Sequence, residues 1–470
     1  MKNFKYFVLL PLLGLSLGSC NKLIEGKDIS PNSPQDAPAD QQLTAAELSE
    51  GFFMSGEIPR QVGIWNGMFT GADRQYLGLE LYNTAAGDYD NAWGTAYTTT
   101  LAQARLVQTK AQAVNNRALL GIAQVIEAQI VGQVTALWGD VPYSEALREG
   151  APGKFDDQAS VYAATQTLLD QAITNLPLNG VYTKSREIFF QGSASKWVAV
   201  AHSLKARHYL HVKNYAQAAA EARLGISSTA NDMMMPYGSA DGSSAQSGNQ
   251  NPYYDFIDLN RSGYISAEGA YATTLLDVAG KPGSRANAKT DESGRFGYFY
   301  TTNSGYYALD PNIVDGAFTP DADAPLVTYV ETQAILAEAL NRTGDQAGAI
   351  TALDNIRADN NSNKHFKGGS YAPYVTADFA AGGLVNNVAG QTPAAALLKE
   401  ILTEKYLSLI GQLEPFHDLR RTNNLIGVPK KNPISLSLPQ RLLYPQSEVN
   451  TNPNVPKPIP GLFVKTPVNN

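Results

Sequence analysis

The sequence predicts a predominantly α-helical protein carrying one long, loop-rich insertion. Three observations lead there. Apolar residues recur at helical spacing over most of the chain, and no alternating run is long enough to make a large sheet. Residues 228–325 then break the helical pattern with Gly, Ser, Asn and Asp, and with nine tyrosines that a disordered linker would lack.

The first element is an export signal. Lys2 and Lys5 precede an apolar stretch from Phe7 to Leu17, followed by Leu17-Gly18-Ser19-Cys20. A positive start, a short apolar run and small residues before a cut site describe a secretory signal over residues 1–19. The run is shorter than the ~20 residues a bilayer span needs. Leu-Gly-Ser-Cys resembles the bacterial lipobox, whose Cys becomes the acylated first residue. Cys20 is the single cysteine of 470 residues, so no internal disulfide competes for it. Two or three acyl chains there would anchor the protein stably to a membrane. Residues 20–43 read as a tether, with Pro31, Pro34 and Pro38 and little to bury, and residues 44–470 as a single folded domain.

Helices are expected over 92–113, 117–138, 157–176, 193–211, 215–226, 326–342, 346–358 and 393–410. The second repeats apolar residues at 119, 122, 123, 126, 130, 134 and 137 and stops at Gly139, with Pro142 just beyond. Its Gln124, Glu127, Gln129 and Gln133 mark a core helix rather than a lipid-facing span. Residues 201–222 and 332–353 each resemble a tetratricopeptide helix–turn–helix, with small residues where two helices approach. Ala219 matches Ala349 and Ala222 matches Ala352, an offset far above the ~34-residue repeat, so no plain solenoid is expected. Within the insertion, Arg295–Thr301 and Tyr306–Leu309 read as short hairpins.

Charge and motifs narrow the chemistry. A net charge of -7 argues against a nucleic-acid partner. Ser193-x-x-Lys196 lacks the companion motifs of penicillin-binding enzymes and reads as a helix start. His208 and His211 stand one helical turn apart without a His-Glu-x-x-His pattern, so neither a metal nor a cofactor is expected. Asp88 and Asp90 are the best carboxylate pair for a hydrolase or a calcium ion, and nothing around them completes either site. Glu404, Asp418, Arg420 and Arg421 read as an ion-pair network tying the last helix to the C-terminal segment.

Four stretches carry a family resemblance: Leu137-Trp138-Gly139-Asp140-Val141-Pro142-Tyr143-Ser144-Glu145-Ala146-Leu147; Gln191-Gly192-Ser193-Ala194-Ser195-Lys196-Trp197 with Ala201 to Arg207; Glu404-Lys405-Tyr406 leading to Phe416-His417-Asp418-Leu419-Arg420-Arg421-Thr422; and Leu443-Tyr444-Pro445-Gln446-Ser447-Glu448 with Asn452-Pro453-Asn454. Together, behind a lipobox, they resemble the SusD/RagB family of outer-membrane nutrient-binding lipoproteins of Bacteroidetes. The resemblance implies four tetratricopeptide-like helix pairs packed against a loop-rich region with a few short strands. It implies a SusC-like TonB-dependent transporter as partner, and an oligosaccharide or, in some branches, a peptide as ligand. The stretch Asn21 to Glu25 lacks the acidic run that often follows the Cys of surface-exported lipoproteins, so outward orientation rests on the family.

Sugar rings stack their C–H faces on aromatic rings, and their hydroxyls need polar partners. The candidates before the first long helix are Trp65, Asn66, Asp73, Arg74, Tyr76, Tyr82 and Tyr89. Those in the insertion are Tyr253, Tyr254, Tyr298, Tyr300 and Tyr306, with the expectation that neighbouring tyrosines alternate between core and solvent. Trp93 and Tyr97, one turn apart, are expected in the core. The alternatives are a peptide-binding relative, a secreted lipoprotein hydrolase, and a tetratricopeptide scaffold without a small ligand.

Overall fold

The structure is a computed structural model. It describes residues 37–470 apart from 149, 151, 239–248, 279 and 313. The expected export signal, Cys20 and residues 21–36 of the expected tether lie outside the described residues, whereas residues 39–43 are not tether but the first turn of a helix, with Leu43 buried.

The frame consists of helices α1 (Ala39–Ser55), α2 (Glu57–Trp65), α3 (Ala102–Ala113), α4 (Arg117–Trp138), α5 (Gln158–Asn175), α6 (Ala194–His211), α7 (Tyr215–Ala222), α8 (Tyr329–Arg342), α9 (Gln346–Asn360), α10 (Pro393–Ser408) and α11 (Glu414–Arg421). They pack pairwise as α3–α4, α4–α5, α6–α7 and α8–α9. Ahead of α3, Asp90–Gly94 and a π-helical stretch, Thr95–Leu101, continue the same rod. There Trp93 and Tyr97 stack with centroids 4.6 Å apart and are buried.

Three of the turns share one local solution. Asn115, Lys213 and Gly344 adopt a positive φ, and the next residue, Asn116, Asn214 or Asp345, sends its amide back to the carbonyl of Ala111, Tyr209 or Leu340. That bond closes the outgoing helix in the Schellman manner. The same Asn or Asp then caps the incoming helix, its side chain accepting from the amide of Leu119, Gln217 or Gly348. Connectors this short force neighbouring helices to run antiparallel.

The two matching units lie side by side although far apart in sequence. α7 packs on α8, and Ala218, Ala219, Ala222, Ala349 and Ala352 share one buried cluster. The stack is therefore continuous in space, and the insertion emerges between two adjacent repeats. Helix α4 is long and apolar enough to cross a membrane, but here it is buried among other helices. Its polar residues find partners inside: Gln124 with Gln171 and Asn175, Glu127 with Arg105 and Gln108, and Gln133 with Glu414 and His417.

Ten short strands, β1 (Thr70–Gly71), β2 (Val141–Pro142), β3 (Phe155–Asp156), β4 (Met233–Met235), β5 (Ile265–Ser266), β6 (Thr290–Asp291), β7 (Thr301–Asn303), β8 (Tyr306–Ala308), β9 (Ala324–Val327) and β10 (Ser370–Tyr371), form only antiparallel pairs among the described residues. The pairs are β1–β5, β2–β3, β4–β9, β6–β10 and β7–β8.

Three expectations need correction. Arg295–Thr301 is not a hairpin: Ser293–Phe299 is helical, and the hairpin is β7–β8, with Asn303 opposite Tyr306. Helix α8 starts at Tyr329 because the preceding residues pair as β9 and Thr328 caps it, accepting from the Glu331 amide. The charged residues near the C-terminus form several separate ties. Asp418 pairs with Lys405 and Arg421, Arg421 also with Glu338, and Glu404 with Arg285 and Arg295. Arg420 meets no carboxylate among the described residues. It donates to the carbonyls of Phe416, Gln440 and Ala136 at 3.1, 3.0 and 2.9 Å.

Candidate functional site

The loops before α3 and the insertion meet at one face of the molecule. Strand β1 pairs with β5, and the amide of Ala72 donates to Tyr264 at 2.8 Å. A tight turn, with Gly263 at positive φ and the Tyr264 amide bonded to the Arg261 carbonyl, presents the Tyr264 ring. Opposite it, residues Asp73 to Tyr76 form another tight turn, closed by the Tyr76 amide donating to Asp73 at 3.0 Å. Its second residue, Arg74, sits at φ 47 and ψ -129, a place usually left to glycine.

This turn aims a cation at the ring. The Cζ atoms of Arg74 and Arg261 each lie 5.7 Å from the Tyr264 centroid, near the limit of cation–π attraction. Arg74 is 71% exposed at its side chain and is tied only loosely to Asp73, at 3.6 Å. Beneath, Tyr76 and Phe256 pack at 5.1 Å and meet Tyr264 at 6.1 and 6.4 Å. Arg60 caps Phe256 from the other side at 4.5 Å. The result is a half-exposed Tyr264 ring seated on buried aromatics, with exposed arginine donors beside it.

The β7–β8 hairpin adjoins this face. Ser266 donates to the Tyr307 carbonyl at 3.2 Å, and the Tyr307 amide donates to Glu268 at 2.8 Å. Tyr306 is 65% exposed, while Tyr307 turns inward onto Phe296 and donates its hydroxyl to Asp277. Tyr253 and Tyr254 split the same way, the first buried and the second half-buried.

The remaining candidates are scattered. Trp65, Asn66, Tyr82, Tyr89, Tyr253 and Tyr300 are buried, so the expectation that they contact a ligand finds no exposed ring or amide to support it. Their polar atoms are committed: the Trp65 indole donates to Leu79, the Tyr89 hydroxyl meets Gln61 and Thr84, and Tyr300 donates to Met68. Tyr253 donates to Gly411, and Tyr82 accepts from the Lys431 amide. Burial pushes the Tyr253 and Tyr89 hydroxyls well above the usual phenol range. Tyr253 and Tyr298 line a cavity of about 110 Å³ between the frame and the insertion. Trp65 lies at the base of a larger cleft, of about 380 Å³, beside the C-terminal segment. Asp88 and Asp90 are structural: the first accepts from Thr84 and Ala85, the second from Ser447.

The platform residues that sequence reasoning did not single out are Tyr264, Arg261 and Phe256. The turn signal Asn260-Arg261-Ser262-Gly263 immediately before an aromatic residue was the available clue. His208 and His211 face Thr165, Tyr162 and Glu414 in the core, and among the described residues no cluster of three or more metal-ligating side chains occurs.

The family model for SusD-like proteins described as starch-binding, associating with outer membrane, matches residues 62–445. Comparison with curated proteins gives no match. Among solved structures, a SusD/RagB family protein from Bacteroides thetaiotaomicron superposes with a TM-score of 0.65 at 23% identity, over 89% of this chain and 95% of its own. A SusD homolog from Bacteroides uniformis gives 0.66 at 18% identity, over 93% and 100%. A chitin-binding SusD homolog from Flavobacterium johnsoniae gives 0.63 at 14% identity, over 87% and 93%. At these identities the likeness to solved structures is one of fold.

Proposed function

Because the chain belongs to the SusD-like family, we propose that it is a non-catalytic protein, lipid-anchored at Cys20 on the outer membrane and facing the medium, that captures an oligosaccharide and delivers it to a SusC-like TonB-dependent transporter. The observation that carries the binding half of this reading is the platform. A half-exposed Tyr264 ring with Arg74 and Arg261 each 5.7 Å from its centroid offers a stacking face and hydrogen-bond donors together. A pyranose lays its C–H face on such a ring while its hydroxyls accept from the guanidinium groups. Tyr306 extends the aromatic surface from the neighbouring hairpin. The family description as starch-binding and the chitin-binding relative support a glycan over a peptide.

No bond need break for this task. Asp88 and Asp90, the carboxylates best placed in the sequence for hydrolysis, are held by hydrogen bonds to their own loops and to Ser447. Two experiments test the reading. The native acylated chain is recovered from outer membranes in mild detergent, with a TonB-dependent channel expected at near-equal amount. Recovery alone, under conditions that keep other membrane complexes intact, counts against delivery. Calorimetric titration with malto- and chito-oligosaccharides is expected to show binding that Tyr264→Ala weakens about tenfold. Equal binding by that variant moves the site elsewhere.

A further inference from the structure

The 380 Å³ cleft beside the C-terminal segment is separate from the Tyr264 platform and differs from it in character. Its volume falls within the roughly 300–1,000 Å³ of small-molecule sites. The base is aromatic. Trp65 and Phe416 meet there at 6.1 Å, and Phe463, 40% exposed, stands at the mouth with its ring against Tyr82. The lining also includes the amides of Asn423, Asn424 and Gln440. Gln440 Oε1 is buried and accepts no hydrogen bond, so an acceptor waits for a donor.

The charge of this cleft is one-sided. Lys430, Lys465 and Arg420 line it, and no Asp or Glu does. Lys430 donates to the Ser435 carbonyl at 2.6 Å and Lys465 to Asn423 Oδ1 at 2.8 Å, while Arg420 is held by backbone carbonyls. None of the three forms an ion pair among the described residues. In a chain of net charge -7, three cations gathered on a concave surface without carboxylates make a local positive field. Walls of low dielectric strengthen that field toward an anion that displaces water.

We propose that this cleft binds an acidic sugar, a ring bearing a carboxylate or a sulfate. The exposed Phe463 ring at the mouth takes the apolar face of the sugar, Lys430 and Lys465 take the anion, and a ring hydroxyl donates to Gln440 Oε1. An acidic peptide fits less well, because extended peptides are recognised along an exposed strand edge and the lining offers side-chain amides and rings instead.

The test uses the full chain in detergent at low ionic strength. It is titrated with trigalacturonate, with the fully methyl-esterified trimer that keeps the ring and loses the charge, with a κ-carrageenan tetrasaccharide as the sulfate source, and with tri-aspartate. The expected result is binding of at least one of the two anionic sugars, and the arm that binds names the anion. For a carboxylate-binding cleft, the ester binds at least about tenfold more weakly. The double substitution K430Q/K465Q, at one exposed and one half-buried position outside the hydrophobic core, cuts binding of the anionic sugar by at least about tenfold. Phe463→Ala reduces it as well, through the ring contact. Absence of binding by both anionic sugars, equal binding of trigalacturonate and its ester, undiminished binding by the double variant, or binding of tri-aspartate alone overturns the proposal.

Discussion

Arg74 holds a backbone conformation that most side chains avoid, and its guanidinium is an exposed donor of the platform. Strain of this kind is retained where the surroundings impose it, at about 1–3 kcal/mol. Arg74→Gly removes both the strain and the donor. Thermal unfolding of that variant is expected to shift upward by the equivalent of about 1 kcal/mol while oligosaccharide affinity falls, and a parallel loss of both would refute the assignment. Asp232 shows the opposite economy. Burial pushes its carboxyl up to about 7, against the Tyr329 amide that bonds to it, with His365, Asp359 and Glu331 as its charged surroundings. A carboxyl whose folded-state value is raised contributes stability that is complete below the unfolded value of about 3.9 and declines as pH rises toward 7. Relative to wild type, Asp232→Asn is therefore expected to gain urea stability between about pH 4 and pH 7, measured by denaturation midpoints. Of the aromatic candidates, Tyr306 stands exposed, whereas Trp65, Tyr89 and Tyr300 are core residues. Residue type alone cannot separate the two fates, because a tyrosine that satisfies its hydroxyl internally buries as readily as it stacks.

At the scale of elements, the insertion is tied to the frame by buried charge. Arg285 pairs with Glu292, Glu400 and Glu404, and Arg295 with Glu292 and Glu404, so residues 285–295 are tied to α10. The two guanidinium groups hold the Glu404 carboxyl well below its usual range despite burial. Glu404→Gln leaves two buried cations short of a partner and is expected to cost about 3–5 kcal/mol, read from urea unfolding; a loss under 1 kcal/mol would sink this view. Because the carboxyl is depressed in the folded state, its contribution is complete above the ordinary carboxylate value and declines progressively as pH falls below it. The turns were legible in the sequence: Asn116, Asn214 and Asp345 are plain capping residues after a stop signal. Helix α11 was not. Half its residues are charged, and it is buried only because Glu338, Lys405 and His211 answer those charges from distant helices. The aromatic run Arg295 to Tyr300 alternates like a strand, yet tertiary contacts made by Arg295 and by Gly294 against Gly368 select a helix.

At the scale of the whole molecule, a helical stack holds its two repeat units side by side, and the insertion emerges between them. Packing periodicity is repeated over many residues, so the fold could be read in advance; each loop contact occurs once, so the site could not. One guanidinium also acts at this scale. Arg420, buried, joins the carbonyl of Phe416 in its own helix to that of Gln440 in the C-terminal segment and to that of the distant Ala136. Lysine in its place cannot reach all three in one plane. Arg420→Lys is expected to lower stability by about 2–3 kcal/mol in urea unfolding, the cost of orphaned buried carbonyls. The folded body has no cysteine, since Cys20 precedes it. This planar fork therefore takes a place that a disulfide could fill, and it gives the C-terminal segment a cross-link indifferent to reducing or oxidising surroundings.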